Sequence, residues 1–219
     1  MQVETVVVVA GGEPPAAEAM RAIPPGSIVI AADRGLDHAR ALGIDVEAAV
    51  GDFDSASPEA VAAAERGGTR IERHAESKDA TDLELALDAA SALEPKRILV
   101  LAGGGGRLDH LLSALLLLAS PRYAAVEIDA CFGDARVHLV RDERELAGEP
   151  GELVTLLAVN GPAEGVETRG LAYPLTGETL EPGSSRGVSN VFAGETAQVR
   201  VGRGVVLAIR PGAGGGNAT

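Results

Sequence analysis

Short apolar segments alternate with helical segments in the N-terminal half of the chain. Four segments have the length and composition of buried strands: Thr5–Ala10, Ser27–Ala32, Ala48–Val50 and Arg97–Ala102. The intervening segments are predicted to be helical: Pro15–Ala22, Gly35–Leu42, Pro58–Arg66 and Thr81–Leu93. Strands that alternate with helices in this way predict a parallel sheet with helices on both faces.

The pattern changes after residue 140, where Gly and Pro separate short strand-like segments and no helix is predicted. These segments are Glu152–Val159, Gly165–Thr168, Thr196–Val201 and Val205–Arg210. They predict an antiparallel sandwich or barrel. We therefore expect an α/β domain at 1–140 and an all-β domain at 150–210. The charged segment Arg141–Gly151 would join them, and the tail 211–219, which has nothing to bury, is predicted to be disordered.

The net charge of −13 argues against nucleic acid or an anionic membrane as a partner, because both would be repelled. Free ATP would also be repelled unless a divalent metal and a few cations accompany it.

The apolar stretch Leu111–Ala119 is too short to span a bilayer and is predicted to be a buried helix. Cys131 is the only cysteine and lies in a strand-like segment, so we expect a core thiol in a reducing cytoplasm.

Unusual polar or glycine-rich segments come just after the predicted strands. They are Asp33–Gly35, Gly51–Ser55, Ser77–Asp82 and Gly103–His110. Ligands of open parallel sheets bind beyond the carboxyl ends of the strands, so these segments should converge there.

Asp52 and Asp54 lie two positions apart, and an extended loop would point both carboxylates in the same direction. Like charges held this close favour a cation such as Mg²⁺ between them, with Asp33 as a further ligand. The alternative is that the two aspartates cap the helix that begins near Ser57.

The segment from Ser77 to Glu84 carries overlapping helix-capping signals, which explain part of its composition. They do not explain Lys78, a cation at the helix end that disfavours positive charge. We interpret Lys78 as a phosphate contact, and Asp79 or Asp82 as further ligands of metal or nucleotide.

Four consecutive glycines, Gly103–Gly106, precede Arg107, Asp109 and His110. Glycines, Gly105 and Gly106 among them, let backbone N–H groups approach a phosphate, and the planar guanidinium of Arg107 suits phosphate oxygens. Asp109 and His110 would hold the arginine, contact the sugar or cap the helix. A plain glycine turn is the alternative.

His38 is expected on a solvated helix face, and no zinc-type Cys/His cluster occurs.

Taken in order, these motifs resemble the bacterial thiamine pyrophosphokinase family. The N-terminal ones are Ala32-Asp33-x-Gly35, Gly51–Ser55, Lys78-Asp79-x-Thr81-Asp82-x-Glu84 and Gly105–His110. The C-terminal ones are Gly165-Val166, Gly170-Leu171-x-Tyr173-Pro174-Leu175 and Val188-Ser189-Asn190.

The resemblance implies an α/β catalytic domain and a C-terminal β-sandwich. It also implies a homodimer with thiamine bound between the catalytic domain of one subunit and the β-domain of the other. The Mg²⁺–ATP site would comprise Asp33, Asp52, Asp54 and Asp82, with Lys78, Thr81, Arg107 and Asp109 around the nucleotide and pyrophosphate. Ser189 and Asn190 would lie at the thiamine site, where Phe192 is a candidate for stacking on the ring because the chain has no Trp.

The predicted reaction is attack of the thiamine hydroxyl on the β-phosphorus of ATP, giving thiamine diphosphate and AMP. Phosphoryl-type transfer depends mainly on positioning and electrostatics, so no general base is assigned. Two alternatives stay open: a pyrophosphokinase for another alcohol such as a hydroxymethyl-pterin, and a non-catalytic sensor of nucleotides or metabolites.

Overall fold

The computed structural model describes residues 3–20, 23–77 and 79–212 of the 219-residue chain. The chain divides into two compact units between Asp134 and Ala135, and the segment Leu115–Ala124 belongs to the second unit. The predicted phosphate contact Lys78 and most of the predicted disordered tail, residues 213–219, lie outside the described residues.

The first unit is built on parallel strands. In chain order they are β1 (Thr5–Val9), β2 (Ile28–Ala32), β3 (Ala48–Gly51), β4 (Arg70–Arg73), β5 (Arg97–Ala102) and β6 (Glu127–Phe132). The helices are α1 (Ala17–Met20), α2 (Gly35–Ala41), α3 (Pro58–Gly67), α4 (Asp82–Ser91) and α5 (Leu108–Leu118), the last of which ends in the second unit. The strand order β6-β5-β1-β2-β3-β4, parallel throughout, confirms the predicted α/β architecture.

The central strands are apolar at most positions, as is typical of parallel strands that are buried on both faces. All five residues of β1 are buried, and one core cluster joins Val7 and Val9 to Leu99 and Leu101 of β5. Cys131 belongs to the same cluster, as its strand-like surroundings predicted. The tight central sheet fixes where each strand ends, and so where the loops that carry polar residues begin.

The second unit is an antiparallel sandwich. Its strands are β7 (Ala135–Val140), β8 (Glu143–Ala147), β9 (Leu153–Ala158), β10 (Ala163–Arg169), β11 (Thr176–Leu180), β12 (Asn190–Val191), β13 (Thr196–Arg200) and β14 (Val206–Arg210). They pair in the orders β12-β9-β14-β7 and β11-β10-β13-β8. Leu156 and Val206 of one layer share a core with Val166 and Val199 of the other, which confirms the predicted all-β domain.

Two predictions about local structure were wrong. The segment Arg141–Gly151, expected to be a connection, contains β8, an edge strand that buries only Leu146 and carries three charged side chains. The helix expected to be buried, α5, instead exposes Leu108, Leu112 and Leu116, because leucines four residues apart share one helical face. Within the described ranges, no helix is both long enough and apolar enough to cross a membrane.

Candidate active site

The carboxyl ends of β2 and β3 and the start of α4 bring three aspartates together. Carboxylate oxygens of Asp33, Asp52 and Asp82 lie within 4.8 Å of one another. Asp33 is 7% exposed, and its Oδ1 atom is buried without a hydrogen-bond partner among the described residues. A buried carboxylate oxygen without a donor is costly unless a cation or a ligand completes it.

Backbone conformation sets the direction of these side chains. Asp33 adopts a left-handed conformation with φ of 45°, and its N–H donates to the carbonyl of Val50 at 2.9 Å. The hydroxyl of Ser55 donates to Asp33 Oδ2, so one oxygen is held in place while Oδ1 stays buried without a donor among the described residues. A non-glycine residue at positive φ is strained, and such strain is concentrated at functional sites.

Gly51 leaves the space that the three carboxylates occupy. A Cβ at this position would lie 3.0 Å from Asp82 Oδ1 and 3.1 Å from Asp33 Cβ. Its φ of 150° is also one that other residues rarely adopt. The glycine of the Gly-Asp-Phe-Asp-Ser motif is therefore required by the close packing of the aspartates around it.

Asp54 lies beside the three aspartates and is not one of them. The loop is not extended as we expected, because Phe53 has a φ of 60° and turns the chain. The Asp54 N–H donates to Asp52 Oδ1 at 3.3 Å, and the Asp54 side chain is exposed. The negative charge of Asp52, followed by desolvation and the charge of Asp33, raises the pKa of Asp54.

Helix α3 does not use Asp52 or Asp54 as a cap. Ser57 is its N-cap residue and accepts a hydrogen bond from the Ala60 N–H at 3.2 Å. Asp37 of α2 accepts in turn from the Ser57 N–H and hydroxyl. The helix start is thus satisfied without the motif aspartates, which removes the capping explanation for them.

Helix α4 begins as the capping signals predicted. Thr81 is the N-cap, and its hydroxyl accepts from the Glu84 N–H at 3.2 Å. The capping role of Thr81 places Asp82 on the first helical turn, where its carboxylate reaches Asp33 and Asp52. Asp79 is exposed and is not part of this carboxylate group.

The glycine-rich loop after β5 packs against the loop after β1. A Cβ at Gly103 would lie 2.5 Å from the carbonyl oxygen of Glu13, and a Cβ at Gly105 would overlap the Glu13 carboxylate. Gly106 has a φ of 85°. Sequence reasoning did not single out Glu13; the only signal was an acidic residue directly after the Gly11-Gly12 pair that follows the first strand.

Arg107 is held by Asp109. The guanidinium donates to the Asp109 carboxylate from Nε at 3.2 Å and from Nη2 at 2.6 Å. These hydrogen bonds lower the pKa of Asp109 to about 2 and raise that of Arg107. Of the roles considered for Asp109, holding the arginine is the one present here. Both side chains are exposed, and so is His110.

Histidine His38 is buried, contrary to our expectation of a solvated helix face. It is 7% exposed, and its Nε2 lies 3.0 Å from the carbonyl oxygen of Gly12. His38 therefore holds the loop after β1 in place through this contact with Gly12. The helix period alone did not show which face of α2 lies against this loop.

In the second unit, Asn190 organises the neighbouring Tyr173 loop. Its Oδ1 accepts from the N–H groups of Tyr173 at 3.1 Å and Val191 at 2.9 Å, and its Nδ2 donates to the Tyr173 carbonyl at 2.7 Å. Asn190 is 3% exposed, whereas the Tyr173 side chain is 61% exposed. Ser189 is exposed, with a φ of 56°, and its N–H donates to Thr155 Oγ1.

Phe192 cannot stack on a ligand in this structure. It is 1% exposed and lies in the sandwich core, where a Cβ at Gly148 would come within 2.7 Å of its ring. Tyr173 is instead the exposed aromatic residue beside Ser189 and Asn190.

The three-aspartate cluster suits a hard divalent cation. Mg²⁺ is bound by one or two carboxylates together with water and substrate phosphates, and this cluster offers carboxylate oxygens only. The buried Asp33 Oδ1 has no hydrogen-bond donor among the described residues, and a bound cation would be its partner. The donor set therefore fits Mg²⁺.

Two family models together match most of the chain. The model described as "Thiamin pyrophosphokinase, catalytic domain" matches residues 21–130, and "Thiamin pyrophosphokinase, vitamin B1 binding domain" matches residues 136–206. The chain belongs to the thiamin pyrophosphokinase family. The catalytic-domain match contains Asp33, Asp52 and Asp82, and the vitamin B1 binding-domain match contains Ser189 and Asn190.

Relatives within the thiamin pyrophosphokinase family agree with this assignment. A thiamine pyrophosphokinase from Bacillus subtilis (strain 168) is 26% identical over 192 residues, which cover 83% of this chain and 86% of the relative. A solved thiamin pyrophosphokinase family protein from Enterococcus faecalis is 28% identical. Its TM-score is 0.78, over 94% of this chain and 98% of that one. The solved Bacillus subtilis thiamine pyrophosphokinase shares the fold, with a TM-score of 0.83 at 24% identity over 94% and 98% of the two chains.

Thiamin pyrophosphokinases transfer the pyrophosphoryl group of ATP to the hydroxyl group of thiamine. Membership of the family favours this reaction over transfer to a pterin alcohol and over a sensor without activity.

Proposed function

We propose that the first unit carries out this transfer at the cluster of Asp33, Asp52 and Asp82. The observation that carries the proposal is the approach of three carboxylates to within 4.8 Å, with the Asp33 Oδ1 atom buried and lacking a donor among the described residues. Mg²⁺ bound there would neutralise charge on the phosphate oxygens of ATP as it develops.

The residues around the cluster position the reacting groups. Ser55 fixes the orientation of Asp33, and Thr81 fixes the start of α4 and with it Asp82. Arg107, oriented by Asp109, supplies positive charge toward the phosphates. Asp54, Lys78, Asp79, Gly105, Gly106 and His110 remain proposed contacts of the nucleotide site.

In the reaction, the thiamine hydroxyl oxygen forms a bond to the β-phosphorus of ATP. The bond from that phosphorus to the α,β-bridging oxygen breaks, and AMP leaves with the electron pair. The hydroxyl proton is released to solvent. We assign the thiamine contacts to Ser189 and the exposed Tyr173 ring, with Asn190 holding the Tyr173 loop at the thiamine site, because these residues lie together in the region that matches the vitamin B1 binding domain.

We also propose a homodimer with its active site at the subunit interface. The exposed leucines of α5 support a second copy as the occupant of that helix face, because no charged residue occurs from Leu111 to Leu118. Two chains that each have a net charge of −13 repel each other, and this repulsion is weakest where uncharged faces come into contact.

The buried thiol of Cys131 supports a cytoplasmic location.

Incubation with Mg²⁺, ATP and thiamine tests the proposed reaction. We expect AMP and thiamine diphosphate in equal amounts. ADP with thiamine monophosphate would contradict pyrophosphoryl transfer, and binding of ATP and thiamine without any product would support the sensor alternative.

Single substitutions test the role of the aspartates. Asp52→Asn and Asp82→Asn should each lower kcat/KM by roughly 100-fold or more, because each removes a carboxylate from the proposed metal site. Both variants should bind Mn²⁺ more weakly in a direct titration of the free protein. Asp45→Asn, at an exposed position outside the cluster, is the matched control and should behave like the unaltered enzyme. Normal Mn²⁺ affinity in both cluster variants would contradict the metal assignment.

A further inference from the structure

The strand order brings together the loops that follow β1 and β5. From β1 the chain proceeds outward through β2, β3 and β4, and β5 then pairs with the opposite side of β1 and leads to β6. The direction of the connections thus reverses between β1 and β5. In open α/β sheets, this reversal point is where ligands enter between the loops.

Glu13 lies at this reversal point and contacts the glycine loop. Its backbone and Cβ are so close to Gly103 that a side chain there would collide with them, and its carboxylate lies against Gly105. The carboxylate is exposed and accepts no hydrogen bond from the residues that the structure describes. The two glycines therefore let the Glu13 carboxylate lie against the glycine loop, where it is exposed and can accept hydrogen bonds from a ligand.

The charge of Glu13 determines which part of a nucleotide can lie beside it. A phosphate next to a carboxylate is repelled, whereas a pair of hydroxyl groups can donate to both carboxylate oxygens. The three-aspartate cluster is at the ends of β2 and β3, so the phosphates belong there with their cation. Strands β1 and β3 are separated by β2 alone, about 10 Å in all, so the nucleoside of the same molecule reaches β1.

We propose that Glu13 binds the ribose hydroxyl groups of ATP and selects ribonucleotides over deoxynucleotides. The inference rests on the proposed function, in that ATP is the co-substrate. His38 contributes as a positioning residue, because its ring is bonded to the Gly12 carbonyl next to Glu13. In this arrangement the glycine loop is the surface against which the Glu13 carboxylate is held.

The test compares Glu13→Ala and Glu13→Gln with the unaltered enzyme, using ATP, 2′-deoxy-ATP and 3′-deoxy-ATP. For the unaltered enzyme, loss of one or other hydroxyl should raise the KM for nucleotide by roughly 10- to 100-fold, because a hydrogen bond to a charged group is lost. Glu13→Ala should raise the KM for ATP to a similar extent and no longer distinguish the deoxynucleotides. Glu13→Gln should retain part of the discrimination, because the amide oxygen still accepts. The KM for thiamine should stay the same.

Glu18→Gln, at an exposed position in α1, is the charge-matched control and should leave the discrimination intact. Calorimetric titration with each nucleotide and Mg²⁺ measures the same preference without turnover. A Glu13→Ala enzyme that loses affinity equally for ATP and both deoxynucleotides would overturn the inference, since that pattern indicates a structural role. A protein that prefers ATP over the deoxynucleotides in the titration but forms no AMP would contradict the proposed function and leave the inference supported.

Discussion

At the scale of a single residue, a substitution at Gly51 tests whether the aspartates must pack closely. Gly51→Ala should lower the free energy of unfolding by about 1–3 kcal/mol, because the methyl group meets Asp82 and Asp33 and the backbone has a positive φ. The methyl group also displaces those carboxylates. We therefore expect the rate of AMP formation to fall by more than this loss of stability alone would cause. Chemical denaturation and AMP formation measure the two effects.

Gly67→Ala is the matched control for this substitution. Gly67 is the last residue of α3, and a Cβ there would meet nothing within 4 Å. We expect equal or slightly higher stability and unchanged activity. If Gly51→Ala were as active as Gly67→Ala, the close packing of the carboxylates would not be needed for catalysis.

Residue spacing predicted part of the site and missed the rest for a physical reason. Asp33, Asp52 and Asp82 follow from the rule that the ends of neighbouring parallel strands meet, together with the capping signal at Thr81. The offset of Asp54 from the cluster depends on the φ of Phe53, a conformation that phenylalanine rarely adopts and that no local pattern indicates.

At the scale of elements, an ion pair joins Glu152, the residue before β9, to Arg210 at the end of β14. Arg210 donates to both oxygens of Glu152, at 2.6 and 2.9 Å, and its guanidinium also lies over the Phe192 ring. Partial burial acts to raise the pKa of Glu152, but hydrogen bonds from Arg210 and the Glu149 N–H outweigh it and lower the pKa below 4.5. The pair therefore stabilises the fold above about pH 4.5, and that contribution is lost as the pH falls through the lowered pKa.

Glu152→Gln should lower stability at pH 7 by about 1 kcal/mol and reduce the loss of stability on acidification below pH 4.5. Thermal unfolding measured from pH 7 down to pH 3 checks both expectations. Glu145→Gln changes an exposed charge on β8 and serves as the control. An acid dependence of Glu152→Gln identical to that of the unaltered protein would contradict the role of the pair.

Elements with strong periodicity were predicted well, and edge elements were not. The buried strands β1, β2, β3 and β5 are apolar apart from the first residues of β1 and β5, so their positions were evident. Strands β4 and β8 are at sheet edges and carry charged side chains, which in sequence are typical of connections.

At the scale of the whole molecule, the exposed leucines of α5 lead to a prediction about assembly. Leu112→Glu should convert the proposed homodimer into a monomer, because it places a charge on the apolar face. Sedimentation velocity measures the change, and activity should fall with it. The control is Leu93→Glu, which changes a leucine that is 36% exposed and lies just after the end of α4. This variant should remain a dimer. A Leu112→Glu protein that sediments as a dimer would contradict the assignment of this face.

The two-part organisation of the chain was evident from the change in pattern near residue 140, since parallel and antiparallel sheets differ in composition. The short helical segment that belongs to the second unit was not, because nothing in Leu115–Ala124 distinguishes it from the rest of α5 and its continuation.

The distribution of tyrosines gives this protein an unusual optical property. With no Trp, its near-ultraviolet emission comes from Tyr123, which is 1% exposed, and Tyr173, which is 61% exposed, and both belong to the second unit. Tyrosine fluorescence therefore reports on the β-sandwich and not on the catalytic unit. Comparing its unfolding midpoint with that of the helical circular dichroism signal would show whether the two halves lose structure together.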